Sequence, residues 1–354
     1  MRLFLIFTLS VLLSGCAELQ YYGHAVSGQL DVLSKRRPIQ EVIDDPGTKL
    51  EVVQKLKVVE RMHDFAISKL ALPDSDSFRS YSDLGRDYVL WNIFATPELS
   101  LDTKQWCYPF FGCLGYRSFF EKAYADLIAS ELEQQGWDVH VAPSPAYSTR
   151  GFFADPIYNP MLRYDDLTLA GILFHELAHE KIYFKNDSEL NESFAVAVQD
   201  EGVKRWLEHE KKPAYYAEYI LDQQRDKQFV TLLLKYRKKL DDVYKSLQAD
   251  EQKRSKKKQI LAALRKDYYT LRQEWDGYAG FDHWFNKPLN NARLAPVGTY
   301  QGHVKAFALL IKLHNGNLPA FYEQVKEISA LPKEERRQRL QHKIKAMAEY
   351  YRID

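Results

Sequence analysis

The chain has 354 residues, with 49 Lys and Arg against 48 Asp and Glu, a formal net charge of +1, and 14% aromatic residues. This balance excludes the basic footprint of a nucleic-acid-binding protein, and no nucleic-acid partner is expected. The length allows one large domain or two smaller ones, and no internal repeat or low-complexity linker interrupts it.

Arg2 is followed by the apolar run Leu3 to Leu13 and then by Ser14-Gly15-Cys16. The run is too short for a membrane span and fits the apolar region of a signal peptide. Small residues directly before Cys16 resemble the lipoprotein signal motif. That resemblance implies removal of residues 1–15 and diacylation of Cys16, which then holds the protein to a lipid bilayer. Ala17 in place of an aspartate resembles the pattern sent to the outer membrane, so a bacterial envelope lipoprotein facing the periplasm is expected. Residues 16–48 read as a lipid-anchored tether and a short helix.

Lys49 to Leu72 carries Val52, Val53, Leu56, Val59, Phe65, Ile67 and Leu70 at helical spacing. Ser80 to Thr96 is strand-like. Cys107 and Cys113 flank an aromatic loop in which Pro109 and Gly112 supply a turn, and an exported chain permits a disulfide between them. The rival reading, a thiolate metal site, lacks a further cysteine pair or histidine nearby. Ser118 to Gln135 reads as a helix stopped by Gly136, Trp137 to Val141 as a short strand, and Ala146 to Phe153 as another. Tyr147, Ser148 and Thr149 on that last strand are placed to pair with an extended peptide, and Tyr147 reads equally well as a core residue. Asp155 either caps the turn before Pro156 or binds a substrate amine.

His175-Glu176-Leu177-Ala178-His179 has the form H-E-x-x-H inside an apolar stretch from about Asp166 to Tyr183. Residues four apart share a helix face, so the two imidazoles can meet one ion. Zn²⁺ suits such nitrogen ligands and keeps an open position for water, with Glu176 placed to take that water's proton. Polar groups in so apolar a helix need partners, which favours a metal over solvent. Twelve residues separate His179 from Glu192 in Asn191-Glu192-Ser193-Phe194-Ala195, which opens a second apolar helix from about Glu189 to Trp206, capped by Asp187 or Ser188. Glu192 completes a His₂Glu set for one Zn²⁺ per chain. Asp200 and Glu201, one to two turns on, are candidates for the outer shell.

H-E-L-A-H followed by N-E-S-F-A resembles the gluzincin aminopeptidases, although the spacer is shorter than theirs and Val196 stands where the thermolysin pattern has an aspartate. A broader resemblance runs through Tyr21-Tyr22, Arg36-Arg37-Pro38-Ile39, the Trp106–Cys113 loop, Tyr116-Arg117, Asp155-Pro156, both zinc helices, Asn290-Asn291-Ala292-Arg293-Leu294 and Tyr300. It is to a family of bacterial envelope proteins described as predicted aminopeptidases. The resemblance implies a zinc metallopeptidase acting on peptides or proteins.

Pro213 to Trp275 is helical and charged, with a break near 249–255 that suggests two antiparallel helices, a possible surface for an envelope protein partner. The Lys253–Lys258 stretch reads as a solvated helix start. Gly277 to Tyr300 reads as a loop. Tyr300 is the first candidate for the oxyanion, His303 the second, and Tyr147 a further one. The expected fold is α+β and mainly helical, a zincin-like metallopeptidase with a short sheet beside the H-E-x-x-H helix and an added charged hairpin. Residues 49–212 form the expected catalytic core, and 213–354 a helical region that completes the cleft. Two alternatives stay open: an endopeptidase acting on envelope proteins, and an assembly lipoprotein whose zinc is structural.

Overall fold

The computed structural model describes residues 2–108, 112–146, 154–297 and 303–340, with side chains from residue 18 onward. In chain order, helix α1 (Arg2–Ser34) leads to strand β1 (Arg36–Pro38), α2 (Ile39–Asp44) and α3 (Leu50–Leu70). Strands β2 (Ser80–Ser82), β3 (Leu90–Pro97), β4 (Trp106–Tyr108), β5 (Gly112–Leu114) and β6 (Arg117–Phe119) follow, then α4 (Lys122–Gln134), β7 (Trp137–Ser144) and β8 (Ile157–Tyr158). A 3₁₀ turn (Asn159–Arg163) precedes α5 (Asp166–Lys181), α6 (Ser188–His209), α7 (Tyr215–Tyr244) and α8 (Asp250–Glu274). The short helices α9 (Asp282–Phe285) and α10 (Asn291–Leu294), then α11 (Val304–Leu313) and α12 (Leu318–Ser329), complete the set. The fold is α+β and mainly helical with little sheet. Among the described residues, no helix is long and apolar enough to cross a membrane.

The chain forms two compact units, each drawn from three segments. The first comprises Met1–Arg36, Ser82–Tyr147 and Gln223–Gly298. Its centre is the antiparallel sheet β6-β3-β7, in which Trp91 pairs with Phe119 and Phe94 with His140. Helix α4 covers this sheet through Ala125, Ala129 and Leu132, which join Ile93, Ala95, Phe119 and Val139 in one apolar cluster. A second cluster joins Phe229, Leu233 and Tyr236 of α7 to Leu264 and Tyr268 of α8 and Phe285 of α9. The ribbon β4-β5 carries a disulfide between Cys107 and Cys113, which face each other in register.

Three local outcomes differ from the sequence reading. The strand-like stretch from Ser80 is split, because the Asp83 carboxylate accepts the Gly85 N–H and Gly85 takes a positive φ of 65° that turns the chain. Ser118 is not helical; its hydroxyl donates to Asn92 at 2.6 Å while Arg117–Phe119 pairs with β3, so α4 starts only at Lys122. Lys257 is not solvated. It is buried, donating to Asp138 at 2.5 Å and to the Glu98 carbonyl at 2.9 Å.

The second unit comprises Arg37–Tyr81, Ser148–Asp222 and Thr299–Asp354, and it holds α5 and α6 packed together with α3, α11 and α12. Phe174 of α5, Phe194 and Trp206 of α6, Phe65 of α3, Phe307 of α11 and Phe321 of α12 are all buried. A side chain on Gly202 would come within 2.7 Å of Phe174 and 2.9 Å of Leu70, so this glycine lets α6 approach its neighbours closely.

Candidate metal centre

Helix α5 begins where Asp165 accepts the N–H groups of Leu167 and Thr168, both at 2.9 Å, and the Thr168 hydroxyl at 2.8 Å. Leu169, Ala170, Leu173, Phe174, Leu177 and Ala178 bury one side of it, which leaves His175, Glu176 and His179 along the less enclosed side. Burial of this stripe fixes the rotation of the helix about its axis, and so the direction in which the two imidazoles point.

Each residue of the Asn191–Ala195 run has its own partner. Asn191 is buried, accepts the Phe184 N–H at 2.7 Å and returns its amide to the Phe184 carbonyl at 2.9 Å. That pair of bonds clips the α5–α6 connection onto the first turn of α6, which Asp187 caps by accepting the Leu190 N–H at 3.4 Å. Ser193 accepts the His303 backbone N–H at 3.3 Å. Phe194 packs among Phe184, Phe307, Phe321 and Tyr322, and Ala195 is buried. Glu192 remains, turned toward α5.

There it meets the two histidines. His175 Nε2 lies 3.3 Å from Glu192 Oε2, His179 Nε2 lies 3.7 Å from Glu192 Oε1, and the two Nε2 atoms stand 3.2 Å apart. One ligand atom from each of the three residues falls within 4.8 Å of the others, an arrangement able to hold one metal ion. The side chains of His175 and His179 are 16% and 23% exposed and that of Glu192 is 37% exposed, so the cluster is open to solvent on one side.

The electrostatics follow from this crowding. The hydrogen bond with His175 holds the Glu192 carboxyl below the usual carboxylate range, against the effect of burial. Burial pushes Glu176 up, opposed by His175 and reinforced by the charges of Glu192, Asp155 and Glu180. Burial pushes His179 down to about 4, helped by its neighbour His175. A His179 that stays neutral keeps the lone pair a metal needs.

The other candidate residues are distributed as follows. The Asp155 N–H donates to the Ser77 hydroxyl at 3.3 Å and its carbonyl accepts the Phe78 N–H at 2.7 Å, and its charge is felt at Glu176. Asp200 accepts the Tyr219 hydroxyl at 2.7 Å, and burial raises its carboxyl. Glu201 pairs with Arg205 at 2.7 Å. The His303 ring nitrogen Nε2 lies 3.8 Å from Glu189 Oε1. Tyr147, Ser148, Thr149 and Tyr300 lie outside the described residues, as does the side chain of Cys16.

Two residues absent from the sequence reading extend outward from His175. Its Nδ1 is 3.1 Å from Gln199 Oε1, and Gln199 in turn donates to the Tyr219 hydroxyl oxygen at 3.2 Å. Gln199 lies seven residues after Glu192, two turns along the same helix face, and that spacing was a usable signal. Tyr219 is on α7, and nothing local in the sequence marks it.

No curated protein and no solved structure matches this chain. A family model does, over residues 20–340, a span that contains both metal-site helices and the Asn290–Leu294 run. The chain therefore belongs to the family described as "Putative aminopeptidase".

Proposed function

We propose that the protein is a zinc-dependent metallopeptidase, an aminopeptidase built on a gluzincin-like catalytic core. The observation that carries the reading is the convergence of His175, His179 and Glu192 on one point, with Glu176 on the same helical turn as His175. Two ligands bound to zinc at about 2.0–2.1 Å in a tetrahedral array stand about 3.3 Å apart. The separations of 3.2, 3.3 and 3.7 Å between the ligand atoms fit that value. Three protein ligands with one open side also suit a catalytic site better than a structural one.

Zinc held by these three residues supplies polarisation of the scissile carbonyl and acidification of a water. Glu176 takes the proton of the attacking water and returns it to the leaving amine. Its pKa, raised first by burial, strengthens it as the base in the first transfer. Tyr300 or Tyr147 is assigned to the oxyanion, with His303 as the second candidate. Ser148 and Thr149 are assigned to the backbone of the substrate. Asp155, whose charge reaches Glu176, is assigned to its free α-amine. The protein sits in the bacterial envelope as a lipoprotein acylated at Cys16, in the outer membrane facing the periplasm.

Glu176→Gln tests the assignment of the base. Turnover of a peptide substrate is expected to fall by about 10²–10⁴-fold while one zinc per chain is retained. Full activity in this variant overturns the mechanism.

A further inference from the structure

The contacts of His175 continue beyond the ligand cluster, and they have a direction. The Tyr219 hydroxyl lies 2.7 Å from Asp200 Oδ1, and an ionised carboxylate only accepts, so the phenol hydrogen points to Asp200. The phenol oxygen then accepts from the Gln199 amide NH₂ at 3.2 Å. That bond turns the amide so that its carbonyl oxygen faces His175 Nδ1 at 3.1 Å. A carbonyl oxygen only accepts, so His175 carries a hydrogen on Nδ1, and Nε2 is the ring nitrogen turned to Glu192 and His179, where a metal can take the place of its proton.

Gly171 supports the same arrangement independently. It lies one turn before His175 on the same face of α5, inside a helix, where glycine is disfavoured relative to alanine. A Cβ at this position would stand 3.3 Å from Gln199 Nε2 and 3.6 Å from Gln199 Cδ and Cγ. The missing methyl group leaves the space in which the Gln199 amide lies.

We propose that Gln199, Tyr219 and Asp200 form a one-directional hydrogen-bond relay that holds His175 in the Nδ1–H tautomer, ready to bind a metal through Nε2. The proposal rests on the metallopeptidase reading and adds three positioning residues to it. Asp200 sets the direction, Tyr219 passes it on, and Gln199 presents the acceptor. The carboxylate that commonly backs a metal-bound histidine is here two groups removed, so its charge reaches the ring only through neutral partners.

The test compares the full-length protein in detergent with Gln199→Leu, Gln199→Glu and Tyr219→Phe. Zinc affinity is read by competition with a chromophoric chelator, and the His175 tautomer by ring ¹⁵N shifts of the metal-free protein at alkaline pH, where the ring is neutral. Gln199→Leu is expected to weaken zinc binding by about 10–100-fold and to shift the ring away from the Nδ1–H form. Gln199→Glu, which keeps an acceptor oxygen, is expected to restore most of the affinity and the tautomer. Tyr219→Phe frees the amide to rotate and is expected to fall between them. A Gln199→Leu protein with wild-type affinity and tautomer overturns the relay, as does a Gln199→Glu protein no better than Gln199→Leu. If wild-type protein binds no zinc, the metallopeptidase reading fails, and the tautomer measurement still decides the relay.

Discussion

His140 is a half-buried titratable group. It lies on β7 opposite Phe94, stacked on that ring with centroids 6.5 Å apart, and burial together with the charges of Arg293 and Lys287 pushes its pKa down to about 4. The unfolded chain binds this proton near the ordinary value of 6.5, so between about pH 6.5 and 4 it holds more proton than the folded chain. Stability should therefore fall as pH drops through this window, by at most about 3 kcal/mol from this residue, and level off below it. Thermal melts of wild type and His140→Phe across the window check this: the variant should lose less stability, and parallel curves would contradict it. Residue chemistry in the candidate site was legible where spacing carries it. His175, Glu176 and His179 follow from a four-residue repeat on one helix face, and Glu192 from the N-E-S-F-A run. Gln199 was legible only through its seven-residue spacing from Glu192, and Tyr219 was not legible, because a neighbour supplied by another helix leaves no mark beside the motif.

Among the elements, α5 and α6 set the site, and each depends on a small feature. Asp165 begins α5 with three accepted hydrogen bonds, and Asp165→Ala is expected to cost about 1 kcal/mol by equilibrium unfolding. Burial pushes the Asp165 carboxyl up, but the bonds from Thr168 and Leu167 outweigh it and hold it below 3.8. The difference between wild type and variant should thus be complete above about pH 4 and shrink as the pH falls further, the sign required for a depressed acid. Gly202→Ala, which forces a methyl group against Phe174 and Leu70, is expected to cost about 1–3 kcal/mol and to loosen the crossing of α6 with its neighbours. No loss of stability in this variant would contradict the close approach. Helix identity was read correctly from apolar spacing for α3, α5 and α6, and from a cap for α6, and their ends fall within a few residues of the expected ones. Strand limits were less legible. The start of α4 moved because Arg117–Phe119 found a partner in β3, a pairing between segments more than twenty residues apart. The proposed peptide-binding strand over 146–153 lies almost wholly outside the described residues.

At the scale of the whole molecule, each compact unit interleaves segments far apart in the chain, and composition offers no hint of such division. In the first unit the joints are polar. Asn291, fully buried, donates to the carbonyls of Pro97, Glu98 and Ser100 at 3.3, 2.9 and 3.0 Å and accepts the Tyr244 hydroxyl at 2.7 Å. Its backbone N–H and the Lys257 ammonium both reach Asp138. One asparagine thereby joins the loop after β3, strand β7, and helices α7 and α10. Asn291→Ala leaves several buried acceptors unpaired and should destabilise the protein by about 2–4 kcal/mol in denaturant unfolding. A change below about 0.5 kcal/mol would show that the network is not needed. The Asn290–Leu294 run was visible in sequence as part of a resemblance, but its role was not, since its partners lie about 50 to 200 positions away.

The proposed zinc centre of His175, His179 and Glu192, with Glu176 as its base, is tested by incubating the zinc-loaded full-length protein in detergent with a mixed peptide library. The products are read by mass spectrometry, with Glu176→Gln as the control. Stepwise loss of N-terminal residues by the wild type, absent in the control, is the predicted result. Internal cuts with the same dependence would keep the metal centre and replace the aminopeptidase by an endopeptidase. One zinc bound per chain with no peptide cut would rule out the peptidase, and cleavage undiminished in the control would rule out Glu176 as its base.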